Sequence, residues 1–194
     1  ILNQIKNQNK ITLEPLCYLS VPLTSMEFNQ LAKGRASLLN LRENRSISIN
    51  KPISKNSKIR IGYLSIDFRS HSCGVPIWPI IQNHNRSQFD IYTFSISSDP
   101  ALETTIQNSN NLHFNISNLT WIKAQRLILD AKLDILIDTT RHIRGAPTPI
   151  FSRRLARTQI SGWGYGDTSG IPSMDALLGD AVTLMNKEQK YYEE

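Results

Sequence analysis

Cysteine is scarce in this sequence. Its 194 residues hold only Cys17 and Cys73, 56 positions apart. No CxxC pair and no Cys/His zinc spacing accompanies them, so neither a disulfide framework nor a metal centre is expected. A reducing, cytoplasmic setting is the expectation that follows. Long apolar runs are also absent. No stretch approaches the roughly 18 residues of a membrane span, which excludes a transmembrane helical protein and a membrane partner. The first ten residues are polar, so no signal peptide is visible. Gly-Lys-Ser/Thr does not occur, and no GxGxxG stands at a first strand, so neither phosphate-binding fingerprint is present.

What is present suffices for a core. Apolar residues make up 40% and charged residues 20%, which fits one large domain or two small ones. The chain opens on Ile1 rather than Met and closes on Tyr191-Tyr192-Glu193-Glu194, and reads as a piece of a longer protein. Its net charge of +6 is uneven. Residues 1–60 hold ten Lys/Arg against three Glu, giving +7; the remainder holds twelve against thirteen, giving −1. No basic run is continuous and no aromatics are interleaved, so a solvated helix and linker is expected there rather than a nucleic-acid site.

Thr24-Ser25-Met26-Glu27 fits a capping box, and the apolar spacing after it predicts a helix over about 25–43. Residues 44–57 read as a linker. The character changes at Lys58. Strands are expected at 59–66, 89–96, 113–116, 133–138, 158–163 and 174–178. Helical segments are expected at 75–83, from Asp99-Pro100, over 120–132, and from Thr148-Pro149 to about Leu155. On the 120–132 helix, Trp121 is expected on the core face; Arg153, Arg154 and Arg157 are expected to face solvent. The alternation predicts an α/β fold with an open, mainly parallel sheet. Ligands of such sheets sit beyond the C-terminal strand ends. Those ends carry Asp67 to Gly74, Ser97 to Pro100, Asp138 to Gly145 and Gly162 to Gly170.

Four of the nine glycines fall within Gly162-Trp163-Gly164-Tyr165-Gly166-Asp167-Thr168-Ser169-Gly170. Close glycines let backbone N–H groups approach a ligand, and the Thr and Ser hydroxyls add donors. A tight structural turn is the plain alternative. Trp163 lies within the loop, where an aromatic plane can stack on a sugar or base. His71 follows the first strand and has the chemistry of a proton acceptor near neutral pH; an inert surface histidine is the alternative. His113, at a short strand, faces the same choice. His142 and Arg144 lie in Thr139-Thr140-Arg141-His142-Ile143-Arg144-Gly145, which reads either as a contact for an acidic group or as a solvated loop.

Taken in order, these segments resemble a known family. Lys58 to His71, written KIRIGYLSIDFRSH, resembles the opening of the catalytic region of O-linked N-acetylglucosamine transferases of the SPINDLY type. His113-Phe114, Leu133 to Asp138, and Gly164-Tyr165-Gly166-Asp167-Thr168-Ser169-Gly170 with Met174-Asp175 are similar to motifs that follow in that family. Pro15 to Leu39 looks like its pre-catalytic helical segment. The resemblance implies a Rossmann-like N-terminal lobe of a GT-B glycosyltransferase over 58–194, preceded by a helical lead-in and linker over 1–57. It implies an inverting, metal-independent enzyme without a cofactor. Such an enzyme transfers N-acetylglucosamine or a related hexose from a UDP-sugar to a protein acceptor. A second, C-terminal lobe would hold most of the UDP. Carried over by position, His71 and His113 match active-site histidines. Gly164, Tyr165, Thr168, Ser169 and Gly170 match the active-site loop, and Arg144 stands where a lysine contacts the acceptor region. Trp163 and Gly166 replace the family's Leu and Pro. Two other readings are a non-catalytic α/β binding module and a nucleic-acid-binding protein using the basic leading segment.

Overall fold

The computed structural model describes residues 22–39, 57–69, 71–72, 74–96, 106, 112–164, 168–180, 190 and 192. The expected helix at Asp99-Pro100, most of the linker, and Tyr165 and Gly166 of the glycine loop lie outside them.

Helix α1 spans Ser25–Leu38. Its capping box is formed: the Glu27 N–H donates to Thr24 Oγ1 at 3.3 Å, and the Thr24 N–H donates to Glu27 Oε2 at 2.8 Å. These contacts satisfy donors that a helix start leaves open. The sheet has six strands: β1 (Ile59–Ser65), β2 (Phe89–Ser95), β3 (Leu112–Asn115), β4 (Ile135–Asp138), β5 (Thr158–Gly162) and β6 (Ala176–Leu178). Every pairing is parallel, in the order β3-β2-β1-β4-β5-β6. The last five residues of β1 and of β2 are all buried, as a sheet covered on both faces requires.

Helix α2 (Gly74–Gln82) covers one face with Ile77 and Ile81, packed on Ile61, Tyr63, Ile91 and Ile137. Helix α3 (Trp121–Asp130) covers the other, joined by Ala36 of α1 and by Phe151. There Leu64, Phe94, Leu136 and Ile128 form the second core. The helix α1 is therefore built into the lobe, with Leu31 and Ala32 fully buried.

Three local expectations change. The segment from Thr148 is a 3-10 helix ending at Ser152, where Arg153 turns extended. Trp121 is 40% exposed, because α3 turns Ala124, Gln125 and Ile128 inward. Gln125 is held there by bonds from Nε2 to the Ile150 carbonyl at 2.8 Å and to Ser152 Oγ at 3.0 Å. Two of the three arginines are paired at a partly exposed surface: Arg154 makes a bidentate contact with Asp175 at 2.6 and 2.7 Å, and Arg157 lies 3.9 Å from Asp134.

Candidate functional site

The chain leaves β3 at one end of the sheet, crosses over, and resumes as β4 beside β1. The C-terminal ends of β1 and β4 therefore flank the point where strand order reverses, which is where open α/β sheets form their crevice.

At the β1 end, Ser65 Oγ accepts the Asp67 N–H at 2.9 Å and turns the chain. This seats the Asp67 carboxylate fully inside the protein. Its Oδ1 lies 3.3 Å from Arg69 Nη2 and 3.3 Å from His71 Nδ1, while the His71 side chain is 39% exposed. The His71 carbonyl accepts the Gly74 and Val75 N–H groups at 2.9 and 3.0 Å, so the imidazole stands at the start of α2. A buried carboxylate on Nδ1 favours the tautomer with the proton on that nitrogen, which makes Nε2 the acceptor.

At the β4 end, Asp138 is also fully buried. Its Oδ1 accepts the Thr140 and Arg141 N–H groups at 2.9 and 3.2 Å, while Oδ2 has no hydrogen-bond partner. Burial pushes its carboxyl up to about 6, although these bonds and the nearby Arg141 guanidinium pull the other way. Arg141 itself is 2% exposed and sits at a φ of +54°, a left-handed conformation that side chains disfavour. Its Nη2 donates to the Trp163 carbonyl at 3.0 Å.

That contact starts a latch between the β4 exit and the glycine loop. The His142 Nε2 meets the Ser169 carbonyl. Gly164, with φ +29°, lies so close to the same exit that an added Cβ would sit 2.7 Å from the Thr139 carbonyl. At Gly170, with φ +58°, an added Cβ would sit 2.6 Å from the Lys33 nitrogen of α1. Only glycine meets both demands, a positive φ and no Cβ. Thr168 Oγ1 accepts the Gly170 N–H and Ser169 Oγ accepts the Ile171 N–H, each at 3.2 Å.

The expected site residues therefore fall into distinct places. His71 stands at the mouth. His113 lies on β3, with Nδ1 2.9 Å from Thr93 Oγ1, in the row Tyr63–Thr93–His113. That row is two residues below the strand ends, on the face that α2 covers. His142 is buried beneath the loop, neither solvated nor at the surface, and Arg144 is exposed in the turn beyond it. Thr168 and Ser169 are buried with their hydroxyls turned to the loop's own backbone, and the Trp163 ring packs against the α2-side core. Three residues the motifs did not single out organise these places: Asp67, Asp138 and Arg141. The available signal was an acid closing an apolar strand at the start of a small, polar loop. Among the described residues, no three His, Cys, Asp or Glu side chains gather as a metal-binding group. No described helix is long and apolar enough to cross a membrane.

Known proteins place this architecture. The family model described as "Glycosyl transferase family 41" matches residues 15–194. A Caenorhabditis elegans UDP-N-acetylglucosamine--peptide N-acetylglucosaminyltransferase is 30% identical over 134 residues, which cover 68% of this chain and 12% of that protein. The probable UDP-N-acetylglucosamine--peptide N-acetylglucosaminyltransferase SEC of Arabidopsis thaliana is 27% identical over 125 residues, covering 63% of this chain and 13% of that one. The chain thus spans about an eighth of the length of these relatives. Among solved structures, a K341M mutant of the Thermobaculum terrenum O-GlcNAc transferase superposes with a TM-score of 0.83 at 22% identity, over 93% of this chain and 35% of that one. That likeness establishes a shared fold.

Proposed function

Because the chain belongs to glycosyl transferase family 41, we propose that it supplies the acid–base side of a cleft that moves N-acetylglucosamine, or a related hexose, from a UDP-sugar to a protein acceptor. The observation that carries this reading is the half-exposed His71 imidazole backed by the buried Asp67 carboxylate at the strand-order switch. In the proposed step, His71 Nε2 accepts the acceptor hydroxyl's proton. The oxygen forms a bond to the anomeric carbon, and the bond from that carbon to the diphosphate breaks with inversion. UDP leaves with the electron pair. No metal or cofactor takes part in this scheme, and a second lobe holds most of the UDP. The latched glycine loop forms the cleft's opposite wall and positions the sugar. His113 acts from the row below. The names of the matched transferases support the donor and acceptor classes, and the setting we assign is cytoplasmic.

The test is turnover of UDP-N-acetylglucosamine with an acceptor peptide by the full-length polypeptide. His71→Ala is expected to lower kcat by about tenfold or more, the range of a lost general acid–base contact. Asp67→Asn is expected to lower it less while preserving KM for the donor. Unchanged kcat in His71→Ala rules out the role.

A further inference from the structure

Away from the strand-end mouth, a groove of about 580 Å³ runs between α3 and the β3 side of the sheet. Its floor is apolar, made by Tyr92, Phe114 and Leu127. Three cations, Arg60, Lys123 and Arg126, stand around it against a single carboxylate, Asp130. They come from two elements. Arg60 belongs to β1, and its Nη1 donates to the Ala131 carbonyl at 3.3 Å, which anchors the guanidinium. Lys123, Arg126, Leu127 and Asp130 form one stripe of α3 at spacings of three and four residues, with Lys123 and Arg126 exposed. Ile122, one residue before Lys123, is 77% exposed.

We propose that this groove docks an acidic amphipathic helix of a partner protein. The charge balance, three cations to one acid, selects a negatively charged occupant. The apolar floor selects one that also brings aliphatic or aromatic side chains. The groove is open to solvent, whereas small-ligand sites bury roughly 70–90% of their ligand. A helix instead presents apolar side chains at i, i+3, i+4 and i+7 to such a floor and keeps its flanks for ion pairs. The ten residues of α3 extend for about 15 Å, enough for nearly three turns of a partner helix. Its carboxylates would meet Lys123 and Arg126 along α3 and Arg60 at the C-terminal end of that helix.

The experiment uses the 194-residue chain and a labelled 14-residue helical peptide with leucines at that spacing and glutamates on the flanks, read by fluorescence anisotropy. Saturable binding that weakens with salt is expected. The double variant Lys123→Glu/Arg126→Glu changes only exposed side chains, and circular dichroism verifies its fold. It is expected to lose about tenfold or more in affinity and to gain binding of a peptide with lysines in place of the glutamates. Equal binding of the two peptides by the unaltered chain overturns the proposal. So does full retention of glutamate-peptide binding by the double variant. Binding of decyl phosphate with no binding of the glutamate peptide replaces it with a small-anion site.

Discussion

Asp138 offers the sharpest test of how this lobe is held together. Its carboxylate is fully buried, and its ordinary value of 3.8 rises to about 6 in the fold. The folded state therefore binds the proton more tightly than the unfolded chain does. Folding stability is lowered by the charge above pH 6 and regained as the pH falls toward 4, the reverse of a salt-bridged aspartate. The interval is about two pH units, and at ~1.4 kcal/mol each the full penalty is about 3 kcal/mol. About 2 kcal/mol of this develops between pH 4.5 and 8. In Asp138→Asn, the side-chain oxygen still accepts the Thr140 and Arg141 N–H groups, and nothing titrates. Any fixed cost of placing an amide where Oδ2 had no partner is the same at every pH. The stability of the variant relative to the parent should thus rise by about 2 kcal/mol from pH 4.5 to pH 8. With a urea dependence of ~2–3 kcal/mol/M, the midpoints diverge by on the order of 0.8 M. Urea unfolding followed by tryptophan emission reads this directly. Parallel midpoint profiles for the two proteins across that range would refute a raised Asp138.

Gly164→Ala puts a Cβ against the Thr139 and Thr140 carbonyls at a positive φ, so a loss of about 2–4 kcal/mol is expected in thermal or urea unfolding; a loss near zero would mean that the loop is not latched as described. Thr24→Ala removes the α1 cap and should cost about 1 kcal/mol, with Thr24→Ser recovering most of it in the same assay. The 194-residue chain should bind UDP more weakly than micromolar by isothermal titration, since the proposed reading assigns the nucleotide chiefly to a second lobe.

The sheet was legible because each central strand is a short apolar run, and such runs need two covered faces. The capping box likewise announced α1 in two polar residues. Expectations failed where a pattern had to be oriented rather than detected. The apolar positions of α3 suggested that Trp121 faces inward, yet Gln125 takes an inward position because the Ile150 carbonyl and Ser152 lie opposite it. That partner comes from 25 residues away and is invisible to local spacing. The glycine loop could be recognised but not interpreted. Its glycines at 164 and 170 serve close backbone packing against the β4 exit and α1, contacts that depend on tertiary placement. Asp67 and Asp138 both stood at identified strand ends, but nothing in the chain reveals that each is fully buried.

Those two carboxylates are compensated in different ways. They leave from β1 and β4, which are neighbours in the sheet though more than 70 residues apart in sequence. Both are withdrawn from water, so each must be compensated locally. Asp67 takes side-chain partners, Arg69 and His71, and one of these reaches the surface. Its charge is thereby compensated through side chains. Asp138 takes backbone N–H groups of the very turn that carries Arg141 and His142 into the glycine loop. Its charge is coupled to geometry instead. The observed pairing leaves one half-exposed imidazole on a buried carboxylate at the β1 end and ties the β4 exit to the glycine loop through backbone contacts.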